Sequence, residues 1–330
     1  MTVTTRLIDS AEELAALEPQ WWALWRDAPQ ATPFQSPAWL LPWWRAFAPG
    51  RLTTIAAWRD GELAGIAPFY LEEGALGRRL LPLGIGISDY LDVLLRPEDV
   101  EAASALADEL AAVDGWDSIE LEELAPGAAG RALPCPDGCV EEACGQSACP
   151  GLGIGREVDA SGLPFEVSGK RRQSYRRKLR AAEAHPPVEI AGADPERFIE
   201  ALAALHGARW RQKGESGVLA DPRVLAFQRE ALPRLVEHGL AQLTTMCLGG
   251  RLAGALYWFA WRDRAATYIS GFDPDFAEES PLTVLVGELF RRASAAGLRD
   301  VSFLRGREPY KYHWGATDRW NQRRSFRRVA

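Results

Sequence analysis

Between residues 303 and 320 the chain reads FLRGREPYKYHWGATDRW. A solvated loop has no need of the aromatics, and a core strand would not tolerate Arg305, Arg307, Glu308, Lys311 and His313, so the mixture suits the edge of a pocket. Transfer of a group at an activated carbonyl needs a base, donors for the oxyanion and an acid for the leaving group. This stretch holds all three types. Glu308 or His313 can take a proton, with nothing in the sequence to choose between them. Tyr310 can give one, and Lys311 can hold developing negative charge. Trp314 and Trp320 read as packing residues.

A second concentration of charge is KRRQSYRRKLR at 170–180, seven basic residues in eleven. Its commonest origin is a solvated helix face. As a site, Tyr175, Arg176, Lys178 and Arg180 would flank an anionic ligand, because a planar guanidinium holds phosphate through two hydrogen bonds. Nucleic acid is not expected as a partner: the chain is net −7 with a pI near 5.4, and no nucleic-acid motif accompanies the run. Residues 1–150 hold 9 Lys/Arg against 24 Asp/Glu, and residues 151–330 hold 29 against 21, giving −15 and +8. An anionic ligand therefore belongs to the second half.

Ser280-Pro281 reads as an N-cap and first-turn pair, which leaves the next backbone N–H groups free at a positive helix end and so offers a phosphate site. Glu278 and Glu279 just before it work against an anion. His206, on a helix expected over 195–213 beside Trp210, reads as a packed histidine. Cys135, Cys139, Cys144 and Cys149 fall in PCPDGCVEEACGQSACP, and their spacing lacks the paired short intervals of zinc ribbons. We read them as reduced linker thiols, with no metal.

The elements that must position these residues repeat. TTIAAWRDGELAGIAPFY at 53–70 and TTMCLGGRLAGALYWF at 244–259 each read as a hairpin whose second strand opens with Leu-Ala-Gly. Strand, helix and strand follow each: YLDVLL, a helix over 98–113 and SIELEEL at 118–124 in the first copy, then AATYISGF, a helix over 282–296 and DVSFL at 300–304 in the second. Leu282, Leu285, Val286, Leu289, Phe290 and Ala293 recur at helical spacing. Asp194 would cap the helix from Pro195. At 330 residues two domains are expected, at 1–150, closing on a Cys-containing linker, and at 151–330. No signal segment or spanning run is visible, so a cytoplasmic location is expected.

The stretches SYRRKLR, LHGARWRQKG, GFDPDFAEESPLTVLVGELFRRA and above all FLRGREPYKYHW resemble the GNAT-type acyltransferases of the CelD (cellulose biosynthesis) family. The likeness covers about half the chain directly and the first hairpin by repeat. It implies an α/β (α+β) fold of tandem GNAT-like domains, each a mixed central sheet flanked by helices, as in the related FemAB-like transferases. It further implies acetyl-CoA or another acyl-CoA as donor, and an amine or hydroxyl acceptor, a small molecule or a cell-envelope or polysaccharide precursor, in the cleft between lobes. By the same resemblance Ser280, Leu282, Thr283 and Phe272 lie at the donor and Tyr310 and Lys311 at the chemistry, where Glu308 or His313 is the base expected from residue type. The residue-type reading adds Tyr175, Arg176, Arg180, Trp210 and Arg305 facing the acceptor. The glycines usual in the family's donor loop are absent here. Two alternatives stand beside this reading: a FemAB-like transferase using aminoacyl-tRNA, and a non-catalytic descendant that binds polysaccharide or protein.

Overall fold

A computed structural model describes residues 2–212 and 214–329. Lys213, the last residue of the expected 195–213 helix, lies outside the described residues, as do Met1 and Ala330. The chain forms two compact units, one of the residues up to Ser147 together with the chain from Trp320 onward, the other Ala148–Arg319.

The first unit runs β1 (Val3–Ile8), α1 (Ala11–Ala16), α2 (Glu18–Asp27), α3 (Pro37–Phe47), β2 (Arg51–Leu52), β3 (Thr54–Arg59), β4 (Glu62–Ala67), β5 (Phe69–Gly74), β6 (Gly77–Pro82), β7 (Leu94–Leu95), α4 (Val100–Ala112), β8 (Ser118–Leu124) and β9 (Cys139–Ala148). The second runs β10 (Gly151–Gly153), α5 (Gly169–Ala182), β11 (Val188–Gly192), α6 (Pro195–Gln212), α7 (Pro222–Glu237), β12 (Ala241–Leu248), β13 (Arg251–Trp261), β14 (Arg264–Phe272), α8 (Pro281–Ala295), β15 (Asp300–Ser302) and α9 (Pro309–His313), after which β16 (Trp320–Arg328) returns to the first unit. Among the described residues the sheets are ordered β1-β3-β4-β7, β2-β5-β6-β8-β16-β9 and β10-β15-β14-β13-β12-β11.

Both expected hairpins form, β3–β4 turning at Asp60-Gly61 and β12–β13 at Gly249-Gly250, and each carries a register shift. Their shared Leu-Ala-Gly has one physical cause in both copies. A Cβ on Gly65 would lie 3.0 Å from Leu106 of α4, and one on Gly254 would lie 2.9 Å from Pro281 and 3.1 Å from Leu285 of α8. In each unit the bare glycine admits the helix that covers the hairpin. On one face of the second unit's sheet, Leu256, Trp258 and Ala265 pack with Tyr175 of α5 and with Val284, Leu285, Leu289 and Phe290 of α8.

Three expectations are corrected. The strand YLDVLL shrinks to Leu94–Leu95, because a second hairpin, β5–β6, follows the first and splits the sheet of the first unit in two. The stretch read as a cysteine linker is largely strand β9, at the sheet edge beside β16. Its glutamates suit an edge and pair with arginines of β16, Glu141 with Arg324 at 2.7 Å. The second unit ends at Arg319 rather than 330, which carries four arginines of β16 into the first unit and reduces the charge contrast to −11 and +4. All five cysteines are free thiols, and among the described residues no cluster of three or more His, Cys, Asp or Glu could hold a metal ion.

Candidate active site

Strands β14 and β15 are parallel neighbours for three residues only, Arg264–Ala266 against Asp300–Ser302. β14 continues to Phe272. The chain beyond Ser302 turns the other way: the Phe303 amide donates to the Pro150 carbonyl at 2.8 Å and the Gly306 amide to the Ala148 carbonyl at 3.1 Å. The two parallel strands therefore separate toward their carboxyl ends, and a crevice at such a separation is where open α/β sheets bind ligands.

The β15 side of the crevice is held in an uncommon shape. Leu304 has φ 56° and Gly306 φ 104°, a left-handed backbone that costs a leucine about 1–2 kcal/mol. Lys311 over-determines it. That side chain is buried, and its Nζ donates to the carbonyls of Leu304 (3.2 Å), Arg305 (2.5 Å) and Gly306 (3.1 Å) while pairing with Glu308 at 3.0 Å. The Leu304 amide donates to Ser302 Oγ at 3.1 Å. Sequence reasoning gave Lys311 a charge-stabilising role; in the structure its three hydrogens are taken by this clamp.

Around it α9 places the other candidates. Tyr310 is 40% exposed, with its ring edge-on to Phe303 at 6.2 Å. Glu308 stands just before α9, exposed apart from its contact with Lys311. His313 is exposed, and its carbonyl accepts from Ser168 Oγ at 2.5 Å. Arg305 is half-buried. Trp314 is fully buried, stacked on Phe290 at 5.2 Å, with the Arg171 guanidinium 4.7 Å over its ring.

On the β14 side, α8 begins through a short 3-10 turn, Pro274–Phe276. Ser280 does not cap with its side chain as expected. It sits at φ 51° and turns its hydroxyl back to the Ala277 carbonyl at 3.2 Å, so the helix starts on the Ser280 carbonyl, which receives the Thr283 amide at 2.9 Å. Pro281 has no N–H, and among the described residues nothing accepts from the Leu282 amide. A helix start of this kind attracts an anion. Of the nearby carboxylates, Glu279 meets His185 at 2.9 Å and Arg251 joins Asp273 and Asp275, while among the described residues no cation pairs with the Glu278 carboxylate. Lys178 Nζ donates to the Glu278 carbonyl. Phe272, half-buried, ends β14.

The remaining expected contacts are dispersed. Tyr175, read as substrate-facing, is a core residue whose ring lies where a Cβ on Gly287 would stand, 2.2 Å away, and burial raises its phenol pKa. Arg176 pairs with Asp159 at 3.0 Å, and Arg180 points outward with its Nε on the Arg176 carbonyl at 3.3 Å. Trp210 and His206 pack together at 5.7 Å, both close to Gly217. His206 Nδ1 lies 3.2 Å from the Ser270 carbonyl on β14, which can only accept, so Nδ1 carries the proton. Sequence reasoning missed Ser302, Leu304 and the clamp role of Glu308. The FLRG spelling hints at a turn but cannot show whose carbonyls need a donor.

The second unit has a GNAT-like fold. Residues 169–312, which contain both walls of the crevice, match the family model of the acetyltransferase (GNAT) domain. Among solved structures the chain is similar to FemX (12% identity, TM-score 0.65, 97% of this chain and 96% of that one), and to L-PGS from Bacillus licheniformis (11%, 0.59, 94% and 92%). A tandem GNAT protein from the clavulanic acid biosynthesis pathway is 16% identical with a TM-score of 0.50, and 98% of each chain is covered. At these identities the likeness is one of fold. A search of curated proteins found no match.

Proposed function

We propose that the second unit moves an acyl group, acetyl in the simplest case, from acyl-CoA to an amine or hydroxyl acceptor, with the thioester in the crevice between β14 and the 303–306 turn. The observation that carries this is the three-residue limit of the β14–β15 pairing beside the start of α8, inside the matched domain. The helix start, through the Leu282 amide and the Thr283 hydroxyl, receives the donor's phosphates, with Ser280 and Phe272 at its border. Lys311 and Glu308 keep the opposite wall in shape. Since the Glu308 carboxylate is held by Lys311, we assign the base to His313 and the acid for the departing thiolate to Tyr310. Arg305 lies on the same wall and would meet the acceptor. The ending FLRG…EPYK…W supports the finer placement in the CelD family and, with it, a small-molecule or envelope-precursor acceptor met in the cytoplasm.

Thermal unfolding of the whole chain with and without acetyl-CoA tests the donor. Ligand at a hundred times Kd contributes about 2.7 kcal/mol, a rise in Tm of several degrees. Silence toward acetyl-CoA, free CoA and longer acyl-CoAs, with a rise on adding aminoacyl-tRNA, would move the donor assignment to the tRNA-dependent reading.

A further inference from the structure

Helix α5 carries seven basic residues and no acidic one, while the rest of its unit holds 18 basic against 21 acidic. The positive excess of the unit thus lies on this helix alone. Its inner side is committed to packing: Tyr175, Leu179 and Ala182 join the core around α8, and Arg171 covers Trp314. At 100° per residue the opposite side presents Lys170, Arg177 and Arg180, all exposed. Arg172 and Arg176 share Asp159, but among the described residues no carboxylate pairs with Lys170, Arg177 or Arg180. Like charges on one helix face destabilise it unless an anion offsets them.

Beside the first turn of α5 the preceding loop is tied down by Arg172, whose Nη1 donates to the carbonyls of Phe165 and Val167, both at 2.6 Å. The same guanidinium lies 5.2 Å from the centre of the Phe165 ring. Phe165 is 53% exposed, the one exposed phenylalanine among the described residues, and Val158, bridged to Pro164 in the same loop, is 43% exposed. A nucleic acid would use the cations and can stack a base on Phe165, but it has no use for the aliphatic Val158 beside it. A lipid interface uses both, since headgroup phosphates meet Lys and Arg while an aromatic ring enters the acyl boundary.

We propose that the outer face of α5, with Phe165 and Val158 at its border, docks on an anionic lipid bilayer surface. It does so peripherally, because no described helix is long and apolar enough to cross a membrane. The inference stands independently of the donor assignment. Flotation of the full chain with phosphatidylcholine vesicles, with and without phosphatidylglycerol, tests it. Binding is expected only with phosphatidylglycerol and should weaken as salt rises. Replacing Lys170, Arg177 and Arg180 together by Gln should lower the partition coefficient roughly a hundredfold, about fivefold per cation. Phe165→Ser should lower it about tenfold while leaving the salt dependence unchanged. All four positions are exposed, so unchanged circular dichroism is expected and confirms that the fold is kept. Equal flotation with neutral vesicles, or none with phosphatidylglycerol at low salt, overturns the proposal. So does tighter binding to an RNA homopolymer that the triple Gln variant abolishes, whether or not Phe165→Ser weakens it.

Discussion

At Lys311, burial and hydrogen bonding decide the role that charge alone leaves open. Its ammonium satisfies three carbonyls of a left-handed turn, and each carbonyl left without a donor costs on the order of 1 kcal/mol. Lys311→Met should therefore lower stability by about 3 kcal/mol, read from the urea midpoint. Tyr310→Phe should leave that midpoint in place and reduce turnover roughly a hundredfold; a Tyr310→Phe variant as active as the parent removes the phenol from the chemistry. In the first unit, Asp92 offers a pH test. Burial pushes its carboxyl up to about 7, against the pull of amide donors at Ala129 (2.8 Å) and Gly130 (2.7 Å). A raised acid binds its proton in the folded state when the unfolded chain has released it, so its contribution is complete near pH 4 and lost as pH rises through about 7. Urea midpoints should fall across that window, and Asp92→Asn should flatten the fall.

At the scale of elements, the closeness of α5 to α8 rests on Gly287, where a Cβ would meet the Tyr175 ring. Gly287→Ala should cost about 1–3 kcal/mol by overpacking, and much less in a Tyr175→Ala background; additive losses in the two substitutions would deny the contact. The duplicated hairpins and α8 were legible in the sequence because apolar spacing and paired glycine turns are local signals. β16 was not. WNQRRSFRR holds four arginines, and it becomes a strand only because Arg323 finds Glu120, Arg324 finds Glu141 and the carbonyls of Gly130 and Leu133, and Arg328 covers Trp116, all distant in sequence. The proposed site was legible in part: FLRGREPYKYHW is one wall of it, while the division between clamp and exposed groups depends on a backbone turn that residue types do not encode.

For the whole molecule, the units carry charges of −11 and +4, and Cys135, Cys139 and Cys144 of the first are free thiols. A chelator should leave Tm unchanged, and a fall of several degrees would reveal a structural ion. The central claim is that acyl-CoA enters the opening between β14 and the 303–306 turn and lays its phosphates on the start of α8. Amide hydrogen exchange of the intact chain, measured with and without saturating acetyl-CoA, reads that site directly. The account predicts slowed exchange in 267–272, at Leu282 to Val284 and in 303–306, with the first unit's hairpin β3–β4 unchanged. Saturation by acetyl-CoA with those three segments unaffected, or with protection confined to other parts of the chain, would contradict it.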